Sequence, residues 1–288
     1  MSLSVAHGPV PAEPGWPAVL LEWPLEPLVW ATVVAGVWWY LLASRAVPAW
    51  PGVRRAHFLA GMAALTLALA SPLASYAGAL FWVHMTQHLL LTMVVAPLLL
   101  LGAPLSLYMR ASAPVKRVRM SKLAHSRGVR LISNPVVAWC AFTLTMWMTH
   151  FSAVYQYALE NSLIHGLEHL LYLVAGLLFW WPVVGLDPGA RRMRPPARLL
   201  YLLLALPQQS FLGLAIYSSD TVLYEHYVTS ARAWGPNPLG DQGAAGIIMW
   251  IGGDLLFLIA LVFVVLTWMR HDERQARRID RRLGLSDG

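Results

Sequence analysis

Charged residues are scarce in this chain of 288 residues. Asp, Glu, Lys and Arg together make up 12% of it, whereas an ordinary soluble domain carries about 25%. So few charges cannot cover a water-facing surface. With 58% hydrophobic residues and a mean hydropathy of +0.55, the composition also excludes a disordered or fibrous chain. The composition therefore predicts a protein that crosses a membrane several times.

Cysteine and lysine are almost absent. Cys140 is the single cysteine, so the chain cannot form an internal disulfide. Both lysines, Lys116 and Lys122, lie in one polar loop, which excludes a retinal-type photoreceptor because that class needs a Schiff-base lysine within a span. The basic residues stand in short blocks between long apolar runs, a pattern that orients membrane proteins. We therefore expect no nucleic-acid partner, despite the net charge of +7.

Long apolar runs are abundant and define the expected fold. A spanning helix needs about 20 mostly apolar residues. Seven segments qualify: 28–44, 55–74, 81–101, 135–156, 162–184, 198–219 and 244–269. They lack the alternation with period 2 that is typical of a membrane β-barrel. We predict an all-α fold, a polytopic bundle of seven transmembrane helices at 28–270, with an outer tail at 1–27 and a cytoplasmic tail at 271–288.

Basic residues are distributed unevenly between the two predicted sides. Twenty of the 21 Lys and Arg residues fall in the segments 45–55, 110–134 and 185–198 or after residue 269. Cytoplasmic loops carry an excess of Lys and Arg, so we expect the N-terminus outside and the C-terminus inside. The loop 114–132 mixes apolar side chains with cations, which fits either a helix lying on anionic membrane lipid or a plain topology anchor.

Five histidines are predicted to lie at one depth near the outer face. His84 and His88 are four residues apart at the start of the third span, which puts both imidazoles on one helix face. His165 and His169 repeat this spacing in the fifth span, and His150 lies near the outer end of the fourth. Ionisable groups inside a membrane usually face the bundle interior, where they act on an ion, a proton or a substrate.

The histidines predict a metal site. Imidazole is the commonest metal ligand and suits copper and zinc, and a His-x-x-x-His pair on a helix offers two preoriented ligands. For any single histidine, a hydrogen bond between helices is the alternative. Glu168 could bind an imidazole N–H or the metal itself. The nearby thioethers of Met85, Met146 and Met148 would favour cuprous copper, although methionine also fills gaps in apolar cores.

Three stretches resemble the CtaG family of cytochrome c oxidase assembly proteins. They are HMTQHLLLTMVVAPLLLLGAP at 84–104, HGLEHLLYLVAGLLFWWPVVG at 165–185 and DQGAAGIIMW at 241–250. The resemblance implies a multi-pass protein of the bacterial plasma (inner) membrane that helps copper reach the catalytic subunit of a haem–copper oxidase. The family's motifs then fall on His84, His88, His165 and His169, with His150 between them. Further polar motif positions match Gln87, Glu168, Asp241 and Gln242.

We therefore expect an assembly factor, not an enzyme, that takes copper from a periplasmic or extracellular donor. The expected ligands are His84, His88, His150, His165 and His169, with Met85, Gln87, Glu168 and Asp241 around them. The main alternative is a seven-helix zinc hydrolase acting on lipid, in which Glu168 or Asp241 supplies the acidic partner. A dihaem cytochrome is disfavoured because histidines four apart on one helix meet the same edge of a macrocycle.

Overall fold

The computed structural model is helical in every regular element of the residues that it describes, which are 11–15, 23–229 and 232–283. The α-helices are α1 (Pro27–Ala46), α2 (Gly52–Leu69), α3 (Pro72–Ala77), α4 (Phe81–Leu89), α5 (Ala96–Leu101), α6 (Pro104–Ala111), α7 (Pro114–Ala124), α8 (Arg127–Ile132), α9 (Pro135–His150), α10 (Ala153–Glu160), α11 (Ser162–Val184), α12 (Pro195–Tyr217), α13 (Glu225–Thr229), α14 (Pro238–Ile247) and α15 (Gly253–Leu283). Two π-helical segments, Leu90–Val95 and Ile248–Gly252, follow α4 and α14 directly. The predicted all-α fold is confirmed.

Six helical stretches are long and apolar enough to cross a membrane. They are Pro27–Ala46, Gly52–Ala77, Phe81–Ala111, Ser162–Val184, Pro195–Tyr217 and Pro238–Arg277. The count rises to seven if α9 and α10 form one broken span. The chain is thus a multi-pass membrane protein, and its seventh span depends on that bent pair.

The fourth predicted span, 135–156, is wrong as a single helix. α9 ends at His150, and the next helix turns away by 66°. Ser152 begins α10, because its side chain accepts a hydrogen bond from the Val154 N–H at 3.3 Å. A serine at this position satisfies an amide that has no partner within the helix. The apolar pattern continues across the break, which is why hydropathy alone did not reveal it.

Contacts between loops group the basic segments at one end of the bundle. The guanidinium groups of Arg54 and Arg110 lie 5.0 and 5.8 Å from the ring centroid of Trp50. Asp187 brings the loop after α11 to the same end, since its carboxylate accepts hydrogen bonds from the first amides of α6, including Ser106 N–H at 2.7 Å. The N-outside, C-inside orientation stays a prediction. The predicted tails, 1–27 and 271–288, lie partly outside the described residues.

The fifth span packs against the third, and the sixth span packs against the last. α11 packs against α9, α10, α5 and the first π-helical segment, while α12 packs against α14, α15 and the second. Gly213 and Gly246 allow α12 and α14 to touch through their backbones. A Cβ on Gly213 would lie 2.6 Å from Trp250 N, and one on Gly246 would lie 2.6 Å from Tyr217 N. Small residues at such crossings are typical of membrane helices.

Side chains are apolar on the outside of the bundle and polar in its interior. Leu144, Phe211 and Phe263 are 60%, 62% and 64% exposed. The fully or nearly fully buried polar side chains of the spans include His84, Gln87, His88, Thr92, Thr149, His150, Glu168, Gln209, Asp241 and Gln242. Lipid requires no polar cover on the outside, whereas buried polar groups need partners within the protein. This arrangement fits a bundle surrounded by hydrocarbon.

Candidate metal centre

The N-terminus of α4 is tied to α14 through Asp241. The Oδ2 atom of Asp241 accepts a hydrogen bond from the Phe81 N–H at 3.0 Å, and Oδ1 accepts one from the Trp82 N–H at 3.1 Å. The first amides of a helix have no partner within it. A carboxylate at this position accepts their hydrogen bonds, and its negative charge interacts favourably with the helix dipole. Arg232 donates to Oδ2 at 3.0 Å. These contacts set the position of α4 and of the histidines that follow.

His84 and His88 meet one turn apart on α4. Their Nε2 atoms are 2.9 Å apart, and the two residues are 0% and 1% exposed. A neutral imidazole has one donor and one acceptor nitrogen, so this contact requires one of the two nitrogens to carry a proton. A metal ion that bound both nitrogens would take the place of that shared proton.

The other pair lies in the first turns of α11. Asn161 begins this helix, because its side-chain oxygen accepts hydrogen bonds from two backbone amides of the first turn at 3.0 and 3.2 Å. Such a cap fixes where the helix starts. His165 and His169 project one above the other, with ring centroids 4.1 Å apart, and Glu168 lies between them in the sequence.

The two histidine pairs come together between α4 and α11. The ring centroid of His84 lies 5.2 Å from that of His165 and 6.1 Å from that of His169. The centroids of His88 and His169 are 6.0 Å apart. We call these four residues, together with Glu168, the histidine cluster.

The histidine cluster contains two groups of potential ligands that share one member. His84, His88 and His169 form one group, and His84, His165 and Glu168 form the other; within each group the ligand atoms lie within 4.8 Å of one another. A tetrahedral ion bound at 2.0–2.1 Å needs its ligand atoms about 3.3 Å apart, so modest side-chain rotations would close either group.

Glu168 brings a negative charge into the cluster. Its Oε2 atom is 3.8 Å from His84 Nε2 and 3.7 Å from His165 Nδ1. Among the described residues, neither carboxylate oxygen has a hydrogen-bond partner, although Glu168 is only 3% exposed. A nearby cation is expected to stabilise a buried carboxylate of this kind strongly. The donor set therefore fits a metal ion chemically.

His150 lies beside the cluster but belongs to neither group of potential ligands. Its ring centroid is 6.1 Å from that of His88. Its Nδ1 atom lies 2.6 Å from the carbonyl oxygen of Met146, which requires the proton on Nδ1. Nε2 then carries the lone pair and faces the Met85 sulfur at 3.3 Å. A nitrogen atom and a sulfur atom thus lie side by side next to the cluster.

A protein-family model matches most of the chain. The family model described as cytochrome c oxidase caa3 assembly factor matches residues 15–271. The chain belongs to this family. The resemblance inferred from the histidine motifs is confirmed.

Three curated relatives of this family member are mycobacterial proteins. The uncharacterized proteins Mb0105 of Mycobacterium bovis and MT0111 of Mycobacterium tuberculosis are each 31% identical over 284 residues. The uncharacterized protein ML1998 of Mycobacterium leprae is 28% identical over the same length. Each alignment covers 94% of this chain and 43% of the relative, so the chain spans less than half the length of these relatives. No solved structure matches the chain.

Tyrosines, which the sequence reasoning did not select, enclose the cluster in this assembly-factor family member. Tyr172 stacks on His88, and its hydroxyl lies 2.6 Å from Thr149 Oγ1 and 3.2 Å from His150 Nδ1. Tyr155 lies edge-on to His84 with centroids 5.1 Å apart. The sequence spacing could have identified Tyr172. It follows His169 by three residues and Glu168 by four, and residues at these spacings share a helix face.

The loop after α12 covers the cluster from one side. The Tyr224 hydroxyl donates to the carbonyl of His150 at 2.7 Å, and the Tyr227 hydroxyl donates to the carbonyl of Ala77 at 3.2 Å. Burial raises the pKa of both tyrosines above the ordinary value, so the hydroxyls stay protonated and keep donating. His226, in the same loop, contacts the carbonyl of Gly78 at 2.8 Å.

Three polar motif residues hold helices and a loop in place. The amide of Gln87 donates to the Ala68 carbonyl at 2.7 Å and joins α4 to α2. Asp241 holds the N-terminus of α4, as described above. Gln242 accepts from the Leu223 N–H at 2.8 Å and anchors the covering loop. Each of them fixes a helix or loop around the cluster.

The predicted thioethers separate into two kinds. Met85 and Met146 are 0% and 2% exposed and face the interior, whereas Met148 is 62% exposed on the outer surface of α9. The expectation that Met148 lies near the site is therefore wrong. Two residues along a helix differ by about 200° in direction, so Met146 and Met148 cannot share a face.

Proposed function

We propose that this chain binds copper at the histidine cluster and hands it to the catalytic subunit of a haem–copper oxidase during assembly. Copper is the cargo here, and no catalysis is assigned to the chain. The observation that carries the proposal is the meeting of four imidazoles and one carboxylate, largely shielded from solvent, between α4 and α11. The family supports an oxidase as the destination.

The shared ligand suits an ion that has to move on. His84 belongs to both groups of potential ligands, so an ion can exchange one partner at a time without leaving the protein. Transfer begins at the group with His165, whose side chain is 13% exposed, and continues to His88, which is 1% exposed. Stepwise exchange keeps several ligand bonds at each stage and avoids a free ion in hydrocarbon.

The setting of this activity follows from the predicted orientation. The histidine cluster faces the outer side of the bacterial plasma membrane, where a periplasmic or extracellular donor supplies copper. The segment α7, with several exposed basic residues, contacts anionic lipid on the opposite side. The family of the chain and the mycobacterial relatives are compatible with this location.

A lipid-cleaving zinc hydrolase is the second candidate, because His84, His165 and Glu168 form a His₂–carboxylate set of the kind that binds catalytic zinc. Such an enzyme needs a further base beside the metal-bound water. If Glu168 binds the metal, Asp241 is the remaining predicted acid, and it is held by two backbone amides and Arg232. The copper proposal does not require this extra group.

The decisive experiment replaces both histidines of α4. We expect the His84→Ala and His88→Ala double variant to lose copper binding in purified protein, measured by elemental analysis after dialysis. Cells that depend on the variant should assemble oxidase with haem but with little copper. His125→Ala is the matched control, because His125 is exposed in the loop after α7.

Two results would count against the proposal. Unchanged copper stoichiometry in the double variant would remove the cluster as the copper site. Zinc that survives chelator washing, together with cleavage of a lipid amide or ester by the purified protein, would favour the hydrolase.

A further inference from the structure

A narrow gap lies inside the bundle directly next to the histidine cluster. Its walls include three methionines, Met93, Met146 and Met249, together with His88 and Gln209. The methionines are 7%, 2% and 1% exposed. The gap has no space for a water-sized sphere, so it is dry.

The backbone is distorted where it supplies two of these methionines. Met93 lies in the π-helical segment Leu90–Val95, and Met249 lies in the segment Ile248–Gly252. In a regular α-helix Met93 would point about 140° away from His88. The i→i+5 hydrogen bonds of a π-helix take an extra residue into the turn and rotate Met93 back toward the His88 side.

Contacts from α12 hold the distorted backbone around Met249 in position. The side-chain amide of Gln209 donates to the Met249 carbonyl at 3.0 Å, two residues after the proline inside α12. A Cβ on Gly253 would lie 2.9 Å from the Gln209 side chain, so the helices approach closely here. π-helical turns are rare and occur frequently at functional sites. Two of them in the lining of one gap need a common explanation.

We propose that the three methionines form a second metal site, selective for cuprous copper, which receives the ion from the histidine cluster. Three thioethers are soft, uncharged ligands that favour Cu(I) over Zn(II). Methionine more often fills a gap than lines one. Here three of them leave a dry gap between them, which suits a small ion that bonds to sulfur and excludes water.

His88 connects the two sites. It belongs to the group of potential ligands with His84 and His169, and it also forms part of the wall of the gap. Its Nδ1 atom has no hydrogen-bond partner among the described residues. Transfer exchanges imidazole for thioether ligands while copper stays Cu(I), so it needs no oxidant or reductant. Because the ion arrives from the cluster, the second site rests on the proposed function.

The test compares the full-length chain with the Met93→Leu, Met146→Leu and Met249→Leu triple variant. Leucine nearly conserves side-chain volume, so folding should survive. Each purified protein is titrated with Cu(I) against a chromophoric chelator and examined by X-ray absorption at the copper edge. We expect the wild type to bind one more Cu(I) than the triple variant and to show copper–sulfur scattering that the variant lacks. Zn(II) binding should be equal.

Met62→Leu with Met148→Leu is the matched control, since it removes one buried and one exposed methionine outside the gap. It should keep both the extra ion and the copper–sulfur scattering. Copper–nitrogen scattering alone in the wild type, with the same stoichiometry as the triple variant, would overturn the methionine site and leave the histidine site standing. A wild type that binds no Cu(I) would overturn both. A folded triple variant that also loses copper–nitrogen scattering would overturn the second site as a separate site.

Discussion

The phenol ring of Tyr172 stacks on the imidazole of His88, with ring centroids 3.8 Å apart and an angle of 19° between the planes. The stack restricts His88 to one orientation, and the Tyr172 hydroxyl separately contacts Thr149 and His150. Tyr172 thus joins α11 to both α4 and α9. It is a positioning residue for the proposed copper ligands.

Replacement of Tyr172 should separate the effect of the ring stack from that of the hydroxyl contacts. Tyr172→Phe keeps the ring and should leave copper affinity within about threefold of the wild type, whereas Tyr172→Ala frees His88 and should lower affinity by about tenfold or more, equivalent to ~1.4 kcal/mol. Competition titration with a chelator measures both. Rescue of affinity by Phe relative to Ala supports the stack, and equal losses in the two variants would contradict it.

Asp241→Ala should destabilise the fold. The substitution leaves the first amides of α4 without their acceptor and leaves Arg232 without its partner. Breaking a buried ion pair in this way costs about 3 kcal/mol or more. Thermal unfolding in detergent, followed by circular dichroism, should show a lower midpoint. Asp220→Ala is the control because Asp220 is exposed, and an equal shift in both variants would rule out this role for Asp241.

Glu168→Gln should change metal preference. The carboxylate lies beside His84 and His165 and supplies the negative charge of that group. Oxygen anions favour divalent ions, whereas Cu(I) depends more on nitrogen and sulfur ligands. Affinity for Cu(II) and Zn(II) should fall by about tenfold, or ~1.4 kcal/mol, with Cu(I) affinity nearly unchanged. Isothermal titration with each ion measures this, and a parallel loss for all three ions would refute it.

The orientation of the bundle can be measured by labelling. In a Cys140→Ser background, Glu160→Cys and Lys122→Cys place single thiols at exposed positions before α11 and within α7. The excess of basic residues near Lys122 predicts that it faces the cytoplasm. An impermeant maleimide should therefore label intact cells at residue 160 only, and residue 122 after permeabilisation. The opposite pattern would invert the predicted topology.

Local sequence rules predicted much of the architecture but missed features that depend on capping. The apolar runs located the spans to within a few residues at most of their ends, because hydropathy over about 20 residues reports burial in lipid. The break after His150 escaped this reasoning, since Ser152 begins α10 through a single hydrogen bond inside a continuous apolar pattern. Likewise, hydropathy does not distinguish Met146 from Met148, although their side chains point to different sides of α9.

The sequence predicted the potential ligands of the candidate site better than the residues that hold them in position. The spacing of His84 with His88, and of His165 with His169, placed each pair on one face by local geometry alone. The roles of Gln87 and Asp241 were not predictable, because their partners are 19 residues away and about 160 residues away. The tyrosines and the methionine-lined gap depend on the same kind of long-range contact.

By itself, the sequence determined that the chain crosses a membrane as helices and that it carries paired imidazoles there. Both follow from local physics, since a backbone in hydrocarbon must satisfy its own hydrogen bonds and a helix fixes the separation of residues four apart. Only the tertiary structure decided that His84 belongs to two groups of potential ligands and that Met93, Met146 and Met249 line one gap. Those relationships arise from packing between helices, which no periodicity within a single helix contains.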